Sequence, residues 1–288
     1  MKNFIIRTVF GALFVFVMVG GIIWRPDTFI LLFAAITGLL LWEYSGLVNE
    51  IEGVQVNRFI STVAGIYFFL AMAAVSIGLT EGFIVFVPYV LTIIYLVVSE
   101  LYLKQKNPIN DWAYTMFGQM YIAMPVSLIN LLAFRMSSTG YGYNWLLPLS
   151  IFIFLWANDT GAYCIGSLLG RHKLFPRISP GKSWEGSIGG AVVVMLAATA
   201  IAFLTRQAPM TDTGTPFLTH LLSWLGLGIV VVVFGTWGDL VESLFKRTIG
   251  IKDSGNIIPG HGGMLDRFDS SILAIPAAVV YLYTLTLV

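Results

Sequence analysis

The stretch LLSWLGLGIVVVVFGTWGDLVESLFKRTIGIKDSGNIIPGHGGMLDRFDSSILAIPAAVVYLYTLTL, residues 221–287, decides the fold. Its two ends, 221–238 and 270–287, are apolar runs of the length that crosses a hydrocarbon core of about 30 Å at roughly 20 residues per crossing. Between them Asp239, Ser243, Lys246, Arg247, Lys252, Asp253, His261, Asp266, Arg267 and Asp269 crowd together in a chain that is 57% hydrophobic and only 11% charged. No single helical face needs that mixture for packing. Carboxylates can hold a divalent metal and basic side chains can hold phosphate, so charge of this density between two lipid-length segments reads as a site.

The same apolar pattern recurs along the rest of the 288 residues, at 4–23, 29–48, 59–79, 83–103, 112–134, 145–168 and 187–204. With 21 Phe, 8 Trp and a mean hydropathy of +0.85, the chain has too little polar surface to coat a soluble globule. The expected fold is an all-α polytopic integral membrane protein of about nine transmembrane helices. The first run resembles a signal peptide in having Lys2 and Arg7 ahead of it, but it is long for such a segment and no A-x-A-like site follows Gly21. The single cysteine, Cys164, rules out an intrachain disulfide framework.

Orientation follows from the Lys and Arg residues between spans. With the N-terminus cytoplasmic and the C-terminus outside, all sixteen except Arg25, Arg135 and Arg206 fall on the inner side. Every candidate motif then faces the cytoplasm. Residues 1–144 read as an N-terminal scaffold whose spans are nearly free of ionisable residues; Glu43 and Glu100 sit near span ends and are expected to reach headgroup water. Residues 145–288 read as the catalytic transmembrane region. The outer loop 206–219 has turn composition.

Three clusters carry chemistry. Asn158-Asp159-Thr160-Gly161 lies inside an apolar run beside Tyr163. A carboxylate at that depth must face a bundle interior, a cavity or a cation, or else form a structural polar pair between helices. Gly170-Arg171-His172-Lys173 and Ser179-Pro180-Gly181-Lys182-Ser183-Trp184-Glu185-Gly186 form a basic loop opening into a helix near Trp184, where amides and Lys182 could receive an anion. Positive-inside topology alone would also account for Arg171, Lys173 and Arg177. A Walker A loop is excluded, because the glycine it needs five residues before Gly181 is Pro176 and no strand precedes it.

The third cluster starts where the eighth span ends. Asp239, Ser243 and Lys246, at i, i+4 and i+7, line one helical face. Pro259-Gly260-His261-Gly262-Gly263 is a glycine-bent turn able to bring amides close to a ligand, with His261 reading as a phosphate or hydrogen-bonding group in preference to a metal ligand. Asp266 and Asp269 share a face of the ninth helix, so that Asp239 and Asp266 could meet at the base of a helical hairpin. Trp184 and Phe268 are candidates to stack on a base.

The run Ser243-x-Phe-Lys246-Arg247-x4-Lys252-Asp253-x-Gly255-x2-Ile258-Pro259-x-His261-Gly-Gly-Met264-x-Asp266-Arg267-Phe268-Asp269 resembles, without gap or mismatch, the signature of the phosphatidate cytidylyltransferase (CDP-diacylglycerol synthase) family. Asn158–Tyr163 and Ser179–Gly186 look like two further blocks of it. The resemblance implies condensation of CTP with phosphatidic acid to CDP-diacylglycerol and pyrophosphate, in phospholipid biosynthesis at the cytoplasmic face of the inner membrane. It implies Mg²⁺, with room for a second cation, held by Asp239 and Asp266, with Asp269 and Asp159 as further ligands or supporting groups. Lys246, Arg247, Lys252 and Arg267 would hold phosphates, Ser243 would orient a phosphate or metal-bound water, and Lys182, Ser179, Ser183, His261 and Asn158 would bind substrate. A homodimer is implied, and nucleic acid is not an expected partner. The competing readings are a CTP-dependent lipid kinase or another CDP-lipid synthase and, from a different class, a secondary transporter, whose midplane acids would resemble Asn158-Asp159.

Overall fold

The computed structural model describes residues 2–80, 82–137, 140–206, 216–257, 260 and 262–287. Each of the nine expected apolar segments coincides with a helix: α1 (Lys2–Ile23), α2 (Pro26–Val48), α3 (Arg58–Ser76), α4 (Val87–Leu103), α5 (Pro108–Ala133), α6 (Leu146–Leu169), α7 (Trp184–Leu204), α8 (Phe217–Thr248) and α9 (Leu265–Leu287). Among the described residues, seven helices are long and apolar enough to cross a membrane; α1 and α6 are the two outside that set. The chain is a multi-pass, predominantly helical membrane protein.

Local chemistry sets the helix ends. Asn57 caps α3 by accepting from the Ile60 amide at 3.0 Å, and Pro26 and Pro108 open α2 and α5, where a missing N–H costs nothing. Within α5 a π-helical turn at Gln119–Ala123 precedes Pro125, which cannot donate to the helical ladder. Two short antiparallel hairpins depart from the all-helical expectation: β1 (Phe134–Ser137) pairs with β2 (Gly140–Tyr143), and β3 (Lys173–Phe175) with β4 (Ser179–Ser183). In the second, Ser-Pro-Gly-Lys-Ser is a strand and not an open loop. Pro180 is tolerated because a two-stranded ribbon leaves one edge without ladder bonds.

The chain forms two compact units. The first comprises Met1–Pro148 and Thr248–Phe268. Its core is built on α2, where Phe29, Phe33, Leu40, Leu41 and Tyr44 are buried, with Phe69, Ile122 and Ile129 contributed by α3 and α5. The Tyr44 hydroxyl donates to the Tyr114 carbonyl at 3.0 Å. The second unit comprises Leu149–Arg247 and Asp269–Val288, with Phe154, Val194, Ala198, Trp224, Val231 and Ile272 in its core. Here α6 and α7 cross with almost no separation. A Cβ on Gly161 would stand 2.9 Å from the Gly190 Cα, and one on Gly186 would stand 2.9 Å from the Ala162 carbonyl oxygen. Small residues at such crossings let helix backbones touch where lipid supplies no hydrophobic drive.

Candidate active site

In the second unit, a cavity of about 420 Å³ opens between α6, α7 and α8. Asn158, Asp159, Tyr163 and Ser167 line it from α6, and Lys182, Ser183 and Ser187 from β4 and α7. Thr236 and Asp239 close it from α8, and Ser270 from α9. Lys182 is delivered by the β3–β4 hairpin, which is tied to α7 in two ways. Ser183 caps the helix by accepting from the Gly186 amide at 3.1 Å. Glu185, in the first turn, accepts from the amides of Arg171 at 3.1 Å and His172 at 3.2 Å and meets His172 Nδ1 at 2.6 Å.

The electrostatic centre of the cavity is an ion pair. Lys182 Nζ lies 2.6 Å from Asp239 Oδ2, and Ser243 Oγ donates to the other oxygen of Asp239 at 3.2 Å. The i, i+4 relation of Asp239 and Ser243 is thus realised as contact. The third member of the expected stripe behaves differently. Lys246 Nζ turns to Glu242, 2.6 Å away and fully buried, because a carboxylate removed from water needs a close cation. Asp269 is partly buried with Asp239, Glu242 and Asp159 as its charged neighbours.

The first unit holds the other part of the signature. Asp266 Oδ2 accepts from the amides of Ser254 at 2.9 Å and Gly263 at 2.8 Å, so one of its oxygens staples its own loop. The Ser254 hydroxyl accepts from the Asp266 amide at 3.3 Å and donates to Glu43. Glu43 also accepts from the amides of Met264 at 2.8 Å and Leu265 at 2.9 Å. It is 6% exposed, contrary to the expectation that it reaches headgroup water. Glu100 is partly exposed, with Oε2 buried.

Asp239 and Asp266 fall in different units, each held by its own neighbours. Arg247, Lys252 and Arg267 are exposed. Asp159 is exposed, Ser179 partly so, and Asn158 and Ser183 are buried. Ile258, Pro259 and His261 lie outside the described residues, as do 207–215 of the expected outer loop. Phe268 is no base-stacking residue: it is fully buried, edge-on to Phe14 at 6.1 Å between ring centroids. Trp184 is 57% exposed. Ser187, Thr236, Ser270 and Glu43 were missed by sequence reasoning. For Ser187 and Thr236 the signal was helical spacing, four residues from Ser183 and three from Asp239.

Among the described residues, no three His, Cys, Asp or Glu side chains come together as a ready metal cluster. That does not conflict with Mg²⁺, which keeps several waters and takes one or two carboxylates together with substrate phosphates. Asp239, with Asp269 beside it, is an oxygen-only donor set of that kind. The residues present fit the ion.

Comparison with known proteins identifies the family. The model of the cytidylyltransferase family matches residues 5–285. A phosphatidate cytidylyltransferase of Haemophilus influenzae is 31% identical over 283 residues, covering 94% of this chain and 93% of its own. One from Staphylococcus aureus is 34% identical over 250 residues (86% and 87%), and one from Staphylococcus epidermidis is 33% identical over 260 (88% and 90%). The cavity brings together a lysine and a carboxylate, side chains of the types that hold phosphate and metal. The chain belongs to the cytidylyltransferase family and is an enzyme of that kind.

Proposed function

We propose that this protein is a phosphatidate cytidylyltransferase: an anionic phosphate oxygen of phosphatidic acid attacks the α-phosphorus of CTP, the bond to the β-phosphate oxygen breaks, and pyrophosphate leaves. The family match over residues 5–285 and the names of the relatives support the reaction. One structural observation carries the site: the 2.6 Å contact of Lys182 with Asp239 in the second-unit cavity. The nucleophile arrives already charged, so no activated serine or cysteine is required. The task is to gather two polyanions and stabilise charge on the reacting phosphates.

Mg²⁺, when bound, would neutralise developing charge on the triphosphate. Asp239 and Asp269 would hold it; Asp159 is a further candidate, and Asp266 enters this reading through the resemblance alone. Lys182 and Asp239 neutralise each other. With a magnesium-bound triphosphate present, Asp239 would hold the ion and Lys182 would hold a phosphate. Ser243 orients Asp239. Arg247 would hold a phosphate at the end of α8, and Lys252 and Arg267 enter this reading through the resemblance alone. The basic-residue distribution supports an orientation with this chemistry at the cytoplasmic face of the inner membrane, where phosphatidic acid slides in laterally and CTP arrives from the cytosol. A homodimer, implied by the resemblance, is checked by native mass spectrometry.

The deciding experiment is pyrophosphate release by the purified protein in detergent with CTP and Mg²⁺, with and without phosphatidic acid, and with dolichol as a control. Release that needs both CTP and phosphatidic acid is expected. CTP consumption with the lipid alcohol instead would move the protein to the lipid kinases.

A further inference from the structure

Glu43 lies near the C-terminal end of α2, yet its carboxylate closes the N-terminus of α9. The amides of Met264 and Leu265 precede or begin that helix and have no carbonyl of their own to bond. A carboxylate at this end of a helix is favoured by both hydrogen bonding and the helix dipole. Here the cap comes from a residue more than two hundred positions away. The same carboxylate accepts from the Ser254 hydroxyl, which in turn accepts from the Asp266 amide.

Two glycines of the signature are explained by this carboxylate. A Cβ on Gly263 would overlap Glu43 Oε1, and a Cβ on Gly255 would stand 3.0 Å from Oε2. The segment is therefore moulded around Glu43. Among the described residues no Lys or Arg is ion-paired with it, and its oxygens meet amide and hydroxyl donors. Such a group is expensive to bury and tolerates no loss of its donors.

From this geometry we infer that Glu43 is a positioning residue for the enzyme: its carboxylate holds Ser254 and residues 263–265 in the one conformation that presents Asp266. Glu43 itself touches no substrate. The inference rests on Asp266 taking part in turnover, and the test separates the two.

The experiment uses the full chain in detergent and the variants Glu43→Gln, Ser254→Ala and Asp266→Asn. In Glu43→Gln an amide NH2 faces backbone donors where an oxygen stood, with little change of volume. Its turnover should fall by roughly 10–100-fold, the range for groups that orient a catalytic ligand. Deuterium uptake at amides 254–266 should accelerate while uptake in α6 and α7 stays at the wild-type rate. Ser254→Ala, which keeps the Met264 and Leu265 bonds, should show a smaller change of both readouts. If Glu43→Gln does not survive purification, Ser254→Ala carries the test with the same two measurements. Wild-type turnover in either variant overturns the proposal, as does lost turnover with unchanged exchange at 254–266, which would mean direct action by Glu43. Should Asp266→Asn keep wild-type turnover, the reading of Asp266 fails, while a turnover loss with faster exchange in Glu43→Gln would still show that the segment matters.

Discussion

Two lysines expected to bind phosphate are held by carboxylates, and the difference in burial separates their roles. The side chains of Lys182 and Asp239 are about a quarter exposed, at 25% and 27%, so their ion pair is partly screened by solvent and contributes little to stability. Asp239→Asn should therefore leave the protein folded while turnover falls by more than the roughly 10–100-fold typical of residues that merely support a metal ligand. Pyrophosphate release together with thermal unfolding checks this; near wild-type turnover at saturating Mg²⁺ would remove Asp239 from the metal. Lys246 is different, at 12% against a fully buried Glu242. Breaking a buried pair from one side costs roughly 3–5 kcal/mol, because the remaining charge is stranded. Lys246→Met should lower the unfolding temperature clearly more than Lys182→Met does, and Glu242→Gln added to it should restore much of the loss. A Lys246→Met protein as stable as wild type would contradict this and return Lys246 to phosphate binding alone.

At the scale of elements, the β3–β4 hairpin shows what periodicity could and could not say. Ser179–Gly186 reads in the sequence as a segment that could receive an anion, because Gly, Lys and Ser stand directly before an apolar run that reads as a helix. That it would be a strand is not legible there, since Pro-Gly is ordinarily a turn and only pairing with Lys173–Phe175 holds it extended. Glu185 fixes this arrangement by gathering the amides of Arg171 and His172 onto the first turn of α7. Glu185→Ala should free the hairpin, deliver Lys182 less reliably and raise the KM for CTP several-fold, in keeping with a lost binding contact that is remade in each turnover. Limited proteolysis should cut the hairpin sooner in the variant. An unchanged KM with an intact hairpin would show that β3–β4 pairing alone suffices.

For the whole molecule, what the sequence yields depends on whether a signal is local. The nine apolar segments and the Asp239–Ser243 spacing are local, and each corresponds to an observed helix or contact. The return of Thr248–Phe268 to the first unit is not local, nor is the bond from Ser254 to Glu43 across 211 positions. A lone carboxylate in an apolar span reads equally as a snorkelling group or a buried one, and only the fold chooses. Side of the membrane is a global property, and the distribution of basic residues carries an expectation of it. Counted across nine crossings, Arg25, Arg135 and Arg206 are the basic residues left outside, whereas removing a crossing from the middle of the chain would invert the segments after it and scatter the lysines and arginines over both faces. The termini should accordingly lie on opposite sides. Fusion of a reporter after Val288 tests this: alkaline phosphatase, active only outside the cytoplasm, should be active there, and green fluorescent protein, which folds only inside by this route, should be dark. Fluorescence at that position would require an even number of crossings, and α1 and α6, the two helices that fall outside the span-length and hydropathy set, would then be the ones to re-examine.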